Sequence, residues 1–278
     1  MKITIIGLGL MGGSLAYALA GFKNSIITGA DTNENTRRLA LEKGAVKEVF
    51  DEPRDAVKDA DIVIFCTPPE AILTAFDELK NDFKPGATVT EICGVKRQIA
   101  KKAAETLPKN VTYIGIHPMA GKEVWGFENA DPAIFKNCGM IITPDENSTE
   151  AAEKTMRELA LHIGAARIAV APPGEHDRII AYTSDLMHAS ASALCADLPD
   201  GFDLAFTAGA FRDCTRVAHL DPNLWTQLFL ENADMLTLAI EHHINNLETL
   251  KKAIKTEDRD ELFTLLTKTS QTKKGLIK

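Results

Sequence analysis

Through its first 170 or so residues the chain alternates two hydrophobic rhythms. Short β-branched runs, "KITIIG", "SIITGAD", "ADIVIFCTPP", "ATVTEIC" and "NVTYIGIHP", read as buried strands. Between them lie segments with apolar residues at helical spacing: "LMGGSLAYALAGF", "ENTRRLALEKG", closed by Gly44, and "VKRQIAKKAAETL". "GMIITP" and "ARIAVAP" add strands on either side of the helix "STEAAEKTMRELALHIG". Continuous apolar strands separated by helices predict an α/β fold, a mainly parallel, doubly wound sheet covered on both faces. The rhythm changes at Pro172 and Pro173, after which strand signal nearly vanishes and long helical patterns follow one another. The expected division is a doubly wound domain over 1–172 and an all-α domain over 173–278.

Between the first strand and the first helix stands "GLGLMG", with glycines at Gly7, Gly9 and Gly12 and Leu8, Leu10 and Met11 between them. In a strand–turn–helix setting this spacing suits a dinucleotide: Gly7 permits the tight turn, Gly9 lets a pyrophosphate approach the backbone, and Gly12 lets helix and strand pack closely. Asp31 ends the second strand, where a carboxylate accepts from the adenosine ribose hydroxyls and repels a 2'-phosphate. These features predict NAD in preference to NADP, with Thr67 and Pro68 of "CTPPE" closing the cofactor site. The plain alternative is an ordinary glycine turn and a helix-capping Asp31.

Composition narrows the partners. With 278 residues and 45% hydrophobic content the chain can bury a substantial core, and its net charge of −8 argues against a nucleic-acid or anionic-membrane surface. A small anionic ligand stays open, because it responds to a local field. The five cysteines are scattered, without metal-ligand spacing, as expected of a reducing compartment and no metal site. The first apolar run, broken by glycines, does not read as a signal peptide, and no stretch is long enough to span a bilayer. A soluble, cytoplasmic protein is expected.

Candidate chemistry centres on His117, which follows "YIGI" and runs into Pro118. In an open parallel sheet, ligands bind beyond the C-terminal strand ends, where "CTPPE", "CGVK" and "HPMAG" should emerge. A histidine there can accept the hydroxyl proton of a carbinol under oxidation; it can equally cap a strand end. "GEHDRIIAYTSDLMH" places His176, Ser184 and His188 on one predicted helix, with Ser184 and His188 four apart on one face. "GAFRDCTRVAHLDPNLW" adds Arg212, Asp213, Arg216 and Trp225. An arginine there either grips a substrate carboxylate or belongs to a salt-bridged helix face. His162, His219, His242 and His243 carry no partner pattern.

The stretches "GLGLMGGSLA", "HPMAGKEVWGFENA", "IITP", "EHDRIIAYTS" and "FRDCTRVAHLDPNLW" together make the sequence resemble the prephenate/arogenate dehydrogenases of tyrosine biosynthesis over nearly its whole length. The resemblance implies a Rossmann domain, a helical domain forming a homodimer, and NAD-dependent conversion of prephenate to 4-hydroxyphenylpyruvate and carbon dioxide. By the same resemblance His117 bonds the ring hydroxyl, Arg216 holds a substrate carboxylate, and His188 lines the pocket. Trp225 reaches in from the dimer partner, and Glu123 and Asp213 organise the arginine; Lys122 and Ser184 complete the expected substrate site.

Three departures from the family pattern bear on substrate choice. Gly94 stands where a serine is usual, Asp185 and Met187 replace a histidine and a proline in "SDLMH", and Lys122 replaces a frequent small hydroxyl residue. Asp185, three residues before His188, is expected to bond that histidine, leaving prephenate preferred over arogenate. A related two-domain dehydrogenase of β-hydroxy acids, or an NAD-binding sensor, are the competing readings.

Overall fold

The computed structural model describes residues 1–276. Met1–Asn232 form one compact unit, and a second begins at Ala233. The first is built on six parallel strands: β1 (Lys2–Ile6), β2 (Ile26–Ala30), β3 (Glu48–Phe50), β4 (Ile62–Phe65), β5 (Thr88–Glu91) and β6 (Thr112–Tyr113), in the order β3-β2-β1-β4-β5-β6. The crossovers are α1 (Leu10–Ala18), α2 (Glu34–Glu42), α3 (Pro53–Val57), α4 (Pro69–Leu79) and α5 (Arg97–Thr106). Residues alternate between the two faces of each strand. Ile3, Ile5, Ile62 and Ile64 enter one core, while Ile6, Val63, Phe65 and Val89 enter another with Phe76 and Ile99. Both faces are thus apolar, which is why the strands read as unbroken hydrophobic runs. The strand order reverses between β1 and β4, so the loops after these two strands meet at a switch point.

One expected strand is two. "NVTYIGIHP" pairs with the parallel sheet only through β6, after which Ile114 donates its amide to Val89 and the chain leaves as β7 (Gly115–Met119). β7 runs antiparallel to β8 (Gly139–Thr143), which pairs parallel with β9 (Arg167–Val170), so "GMIITP" and "ARIAVAP" build a separate three-stranded sheet rather than extending the first. Gly115 marks the break: a methyl there would overlap Thr143 Oγ1 and sit 2.9 Å from Glu91 Oε1. His117 consequently lies within β7, opposite Ile141, and not at a strand end.

α6 (Glu150–His162) joins β8 to β9, its N-terminus capped by Thr149 accepting from the Ala152 amide. The remaining helices of this unit are α7 (Pro173–Ile180), α8 (Leu186–Ala196), α9 (Gly209–Thr215) and α10 (Pro222–Glu231). The single helix expected over His176 to His188 is interrupted by a π-helical turn at Ala181–Asp185, which widens the ring and changes which side chains align. The second unit is a helical pair, α11 (Ala233–Lys255) and α12 (Arg259–Leu276), joined by a turn with Glu257 at φ 52°. Among the described residues no helix is long and apolar enough to cross a membrane.

Candidate active site

The chain leaves β1 through Gly7 at φ 89°, a conformation that suits glycine. A methyl on Gly12 would overlap the Gly7 carbonyl, and one on Gly7 would sit 2.7 Å from Thr67 Cγ2. The loops after β1 and β4 are therefore in close contact, while a methyl on Gly9 would meet nothing within 4 Å. Gly9 opens α1 with no side-chain cap, and no acidic residue lies in the first turn. The helix N-terminus thus directs amides and partial positive charge toward open space. Asp31, at the end of β2, is fixed beside the loop: Oδ2 accepts from the Leu8 amide and Oδ1 from the Asn33 amide, both at 2.8 Å. Arg37 folds back onto the carbonyls of Asp31 (2.8 Å) and Thr32 (3.0 Å). A tight turn, an open face at Gly9 and a carboxylate at the second strand fit a dinucleotide, whose phosphates would lie against the first amides of α1. Thr67 lies against Gly7, and Pro68 precedes α4.

His117 faces the loop after β5, with its Cε1 4.0 Å from where a methyl on Gly94 would stand. Behind it runs a chain of polar groups that sequence reading did not assemble. His117 Nδ1 lies 2.9 Å from His176 Nε2, and His176 Nδ1 lies 2.7 Å from Asp177 Oδ1. Asp177 also accepts from the amides of Lys96 and Arg97, both at 2.9 Å, which places its carboxylate at the N-terminus of α5. His176 and Asp177 are fully buried; His117 is half-buried. Burial pushes the His117 imidazole well below its ordinary range, and nearby Lys96 and His176 push it the same way. Burial lowers His176 too, opposed by its bond to Asp177.

Beneath this row lies a buried ion pair. Lys96 Nζ donates to Glu91 Oε2 (2.8 Å) and to the Cys93 carbonyl (2.6 Å), and Tyr113 donates to Glu91 Oε1 at 2.9 Å. Both charges are fully enclosed, yet each carries several hydrogen bonds, the condition under which a buried pair is tolerated. The pair pins the loop that carries Gly94, and "EICGVK" carried its signal: charged residues at both ends of a turn leaving a buried strand.

The other expected residues form a second group. Arg216 and Glu123 make an ion pair, tying the loop after β7 to the turn after α9. Trp125 of the same loop packs against His219 with ring centres 5.9 Å apart. His188 stacks on Trp225 at 3.5 Å, and its Nδ1 bonds the Ser184 carbonyl at 3.0 Å. Trp225, expected from a dimer partner, therefore meets His188 of its own chain. Asp213 is not at Arg216: it is exposed, 3.9 Å from Arg212. Lys122 is likewise exposed and bonds Asp131 at 3.1 Å.

Asp185 departs from the expectation most clearly. It does not bond His188 but turns inward and accepts from Asn232 Nδ2 at 2.9 Å, while the same amide group donates to the Asp177 carbonyl. Asp185 is buried on the inner side of the helix, and His188 Nδ1 is already taken by the Ser184 carbonyl. Burial raises the Asp185 pKa to about 6, against the opposing Asn232 bond. A carboxyl raised in the folded state favours folding while protonated, and that contribution fades as pH rises through about 6. Asp185→Asn is therefore expected to be more stable than the parent by about 1–3 kcal/mol at pH 7.5, with the gain shrinking toward pH 5. Urea melts at both pH values test this; equal destabilisation at both would count against it.

A glycine cradle, an acidic second strand and a half-buried imidazole at the C-terminal edge define a nicotinamide-dependent oxidoreductase. Comparison with known proteins specifies the kind. Residues 16–169 match the family described as prephenate dehydrogenase, nucleotide-binding domain, and residues 172–268 match prephenate dehydrogenase, dimerization domain. The cyclohexadienyl dehydrogenase of Zymomonas mobilis is 31% identical over 269 residues, covering 94% of this chain and 91% of that protein. The crystal structure of Aquifex aeolicus prephenate dehydrogenase in complex with hydroxyphenyl propionate and NAD+ superposes with a TM-score of 0.89 at 28% identity, covering 99% and 98% of the two chains. Synechocystis arogenate dehydrogenase superposes at 0.84 with 29% identity, covering 99% and 100%. The chain belongs to the prephenate dehydrogenase family and is an NAD-dependent dehydrogenase.

Proposed function

We propose that the enzyme oxidises and decarboxylates prephenate to 4-hydroxyphenylpyruvate. The observation that carries this reading is the placement of His117, with one ring nitrogen bonded to His176 and the ring facing the loop at Gly94. Bound NAD supplies the hydride acceptor. The chain's own tasks are to take the ring-hydroxyl proton as that oxygen becomes a carbonyl, to hold the carboxylates, and to exclude water. His117 takes the proton and returns it to the phenolate oxygen once carbon dioxide has left and the ring is aromatic. Arg216 holds a substrate carboxylate, with Glu123 its partner in the free protein. His188 and Trp225 form an aromatic wall and Ser184 orients the His188 ring. Lys122 and Asp213 lie at the outer rim.

Prephenate is favoured over arogenate because Asp185, the acidic side chain that an ammonium substituent would call for, is buried against Asn232. The functional division falls near residue 172, with dinucleotide binding before it and substrate binding and homodimerisation after it. The homodimer reading is supported by the apolar side chains that α11 and α12 leave exposed, including Leu247, Ile254, Phe263 and Leu266. The scattered free cysteines support a reducing, cytoplasmic setting for the enzyme.

Following NADH absorbance with purified protein tests the reading: turnover of prephenate well above arogenate supports it, and a strong arogenate preference overturns the substrate choice. NAD is expected to be used much better than NADP, because the Asp31 carboxylate repels a 2'-phosphate and Arg37 is held on backbone carbonyls. Equal kcat/KM for the two cofactors would contradict that role for Asp31.

A further inference from the structure

His176 and Asp177 touch neither of the open faces described above, yet their bonds dictate the state of His117. Asp177 accepts two backbone amides, the Arg97 Nε at 3.3 Å and the His176 ring. Burial alone would raise its pKa, but the His176 bond and the two amides hold it below the ordinary carboxylate range. An ionised Asp177 requires a proton on His176 Nδ1. Neutral His176 then has a lone pair on Nε2, and the 2.9 Å contact is made only if His117 carries its proton on Nδ1. The remaining ring nitrogen, His117 Nε2, is left as an acceptor.

The same row sets where positive charge settles. The charged groups acting on His117 are Lys96 and His176, both unfavourable to an imidazolium. Around His176 stand Lys96, Glu91 and, in direct contact, Asp177, and the two carboxylates favour the charged form. An imidazolium is therefore better placed on His176 than on His117.

We propose that His176 and Asp177 are positioning residues for His117: they keep its Nδ1 protonated so that Nε2 accepts the substrate's hydroxyl proton, and His176 Nε2 takes the Nδ1 proton as that transfer occurs. One proton enters at His117 Nε2 and one crosses to His176 Nε2. His117 is left neutral in its other tautomer, and His176 is left as an imidazolium against Asp177. Return of the proton to the product oxygen reverses both steps, so no proton is gained or lost over the cycle. The inference rests on the general-base reading of His117, but its first test needs no substrate.

Histidine ¹⁵N NMR of the wild-type protein at neutral pH should show both His117 and His176 protonated at Nδ1; protonation of His117 at Nε2 instead would overturn the proposal whatever the enzyme turns over. Kinetics supply the second test. His176→Leu is expected to lose about 10²-fold or more in kcat with little change in KM for NAD. His176→Gln, whose amide oxygen can accept from Nδ1 but cannot hold a proton, should restore the His117 tautomer and only about tenfold of the lost rate. Near-normal kcat in either variant would show that His176 only fills space. Should the leucine variant fail to fold, the glutamine variant and the wild-type spectrum still decide.

Discussion

Replacing His117 with asparagine is expected to lower kcat by about 10²–10⁴-fold while NAD binding stays intact. Asparagine can keep a hydrogen bond toward His176 and toward a substrate hydroxyl, but it cannot accept a proton at neutral pH. The loss therefore isolates the base from the scaffold. The glycine loop, Asp31 and Thr67 reach the cofactor site from other strands, so cofactor affinity should not follow the rate. The pH profile gives a second reading. Catalysis needs neutral His117, and burial together with Lys96 and His176 lowers its pKa well below the usual imidazole value. Activity should thus stay level through neutral pH and fall only as pH drops through that lowered value. The acid limb belonging to His117 should be missing in the asparagine variant. Near-normal kcat in that variant would reduce the histidine to a structural role.

What the sequence revealed about this site was local, and what it concealed was tertiary. The glycine loop and Asp31 are separated by one helix and one strand, and a strand–turn–helix pattern is enough to bring them together. His117 stood out because a titratable ring interrupts an apolar run. Its partner His176 lies 59 residues away, on a helix whose face offered no reason to prefer it over His188. The adjacent pair His176-Asp177 at the start of that helix was the available signal, since neighbouring residues on a helix seldom bond unless something fixes them, here the N-terminus of α5. The second sheet was hidden for a different reason. A continuous hydrophobic run cannot report that its halves belong to two sheets, and only Gly115, in the middle of a β-branched stretch, hinted at close backbone approach. For Asp185, three-residue spacing to His188 could not report that the carboxyl is buried or that His188 Nδ1 bonds the Ser184 carbonyl. The true partner of Asp185, Asn232, is 47 residues away.

Arg216 is expected to act through binding. Arg216→Ala should lower kcat/KM by an amount equivalent to about 2–4 kcal/mol, mostly as a higher KM for the substrate, because it removes a charge-assisted contact to a carboxylate. The ion pair with Glu123 is half-exposed, and exposed pairs contribute only about 0–1 kcal/mol to stability. Thermal melting of the alanine variant should therefore stay close to that of the parent even as KM rises. Glu123 separates the two sources of any loss. If the arginine serves the substrate, Arg216→Ala costs as much in a Glu123→Gln background as in the wild type. If it serves only to tie down the loop after β7, Glu123→Gln already releases that loop, and the further cost of Arg216→Ala disappears. Arg216→Lys adds a geometric test, since an ammonium keeps the charge but loses the planar fork that meets a carboxylate with two parallel bonds. A lysine variant that recovers part of the lost affinity, in a protein that melts normally, marks Arg216 as the carboxylate anchor. An alanine variant that unfolds, or whose defect vanishes without Glu123, would make the arginine part of the scaffold.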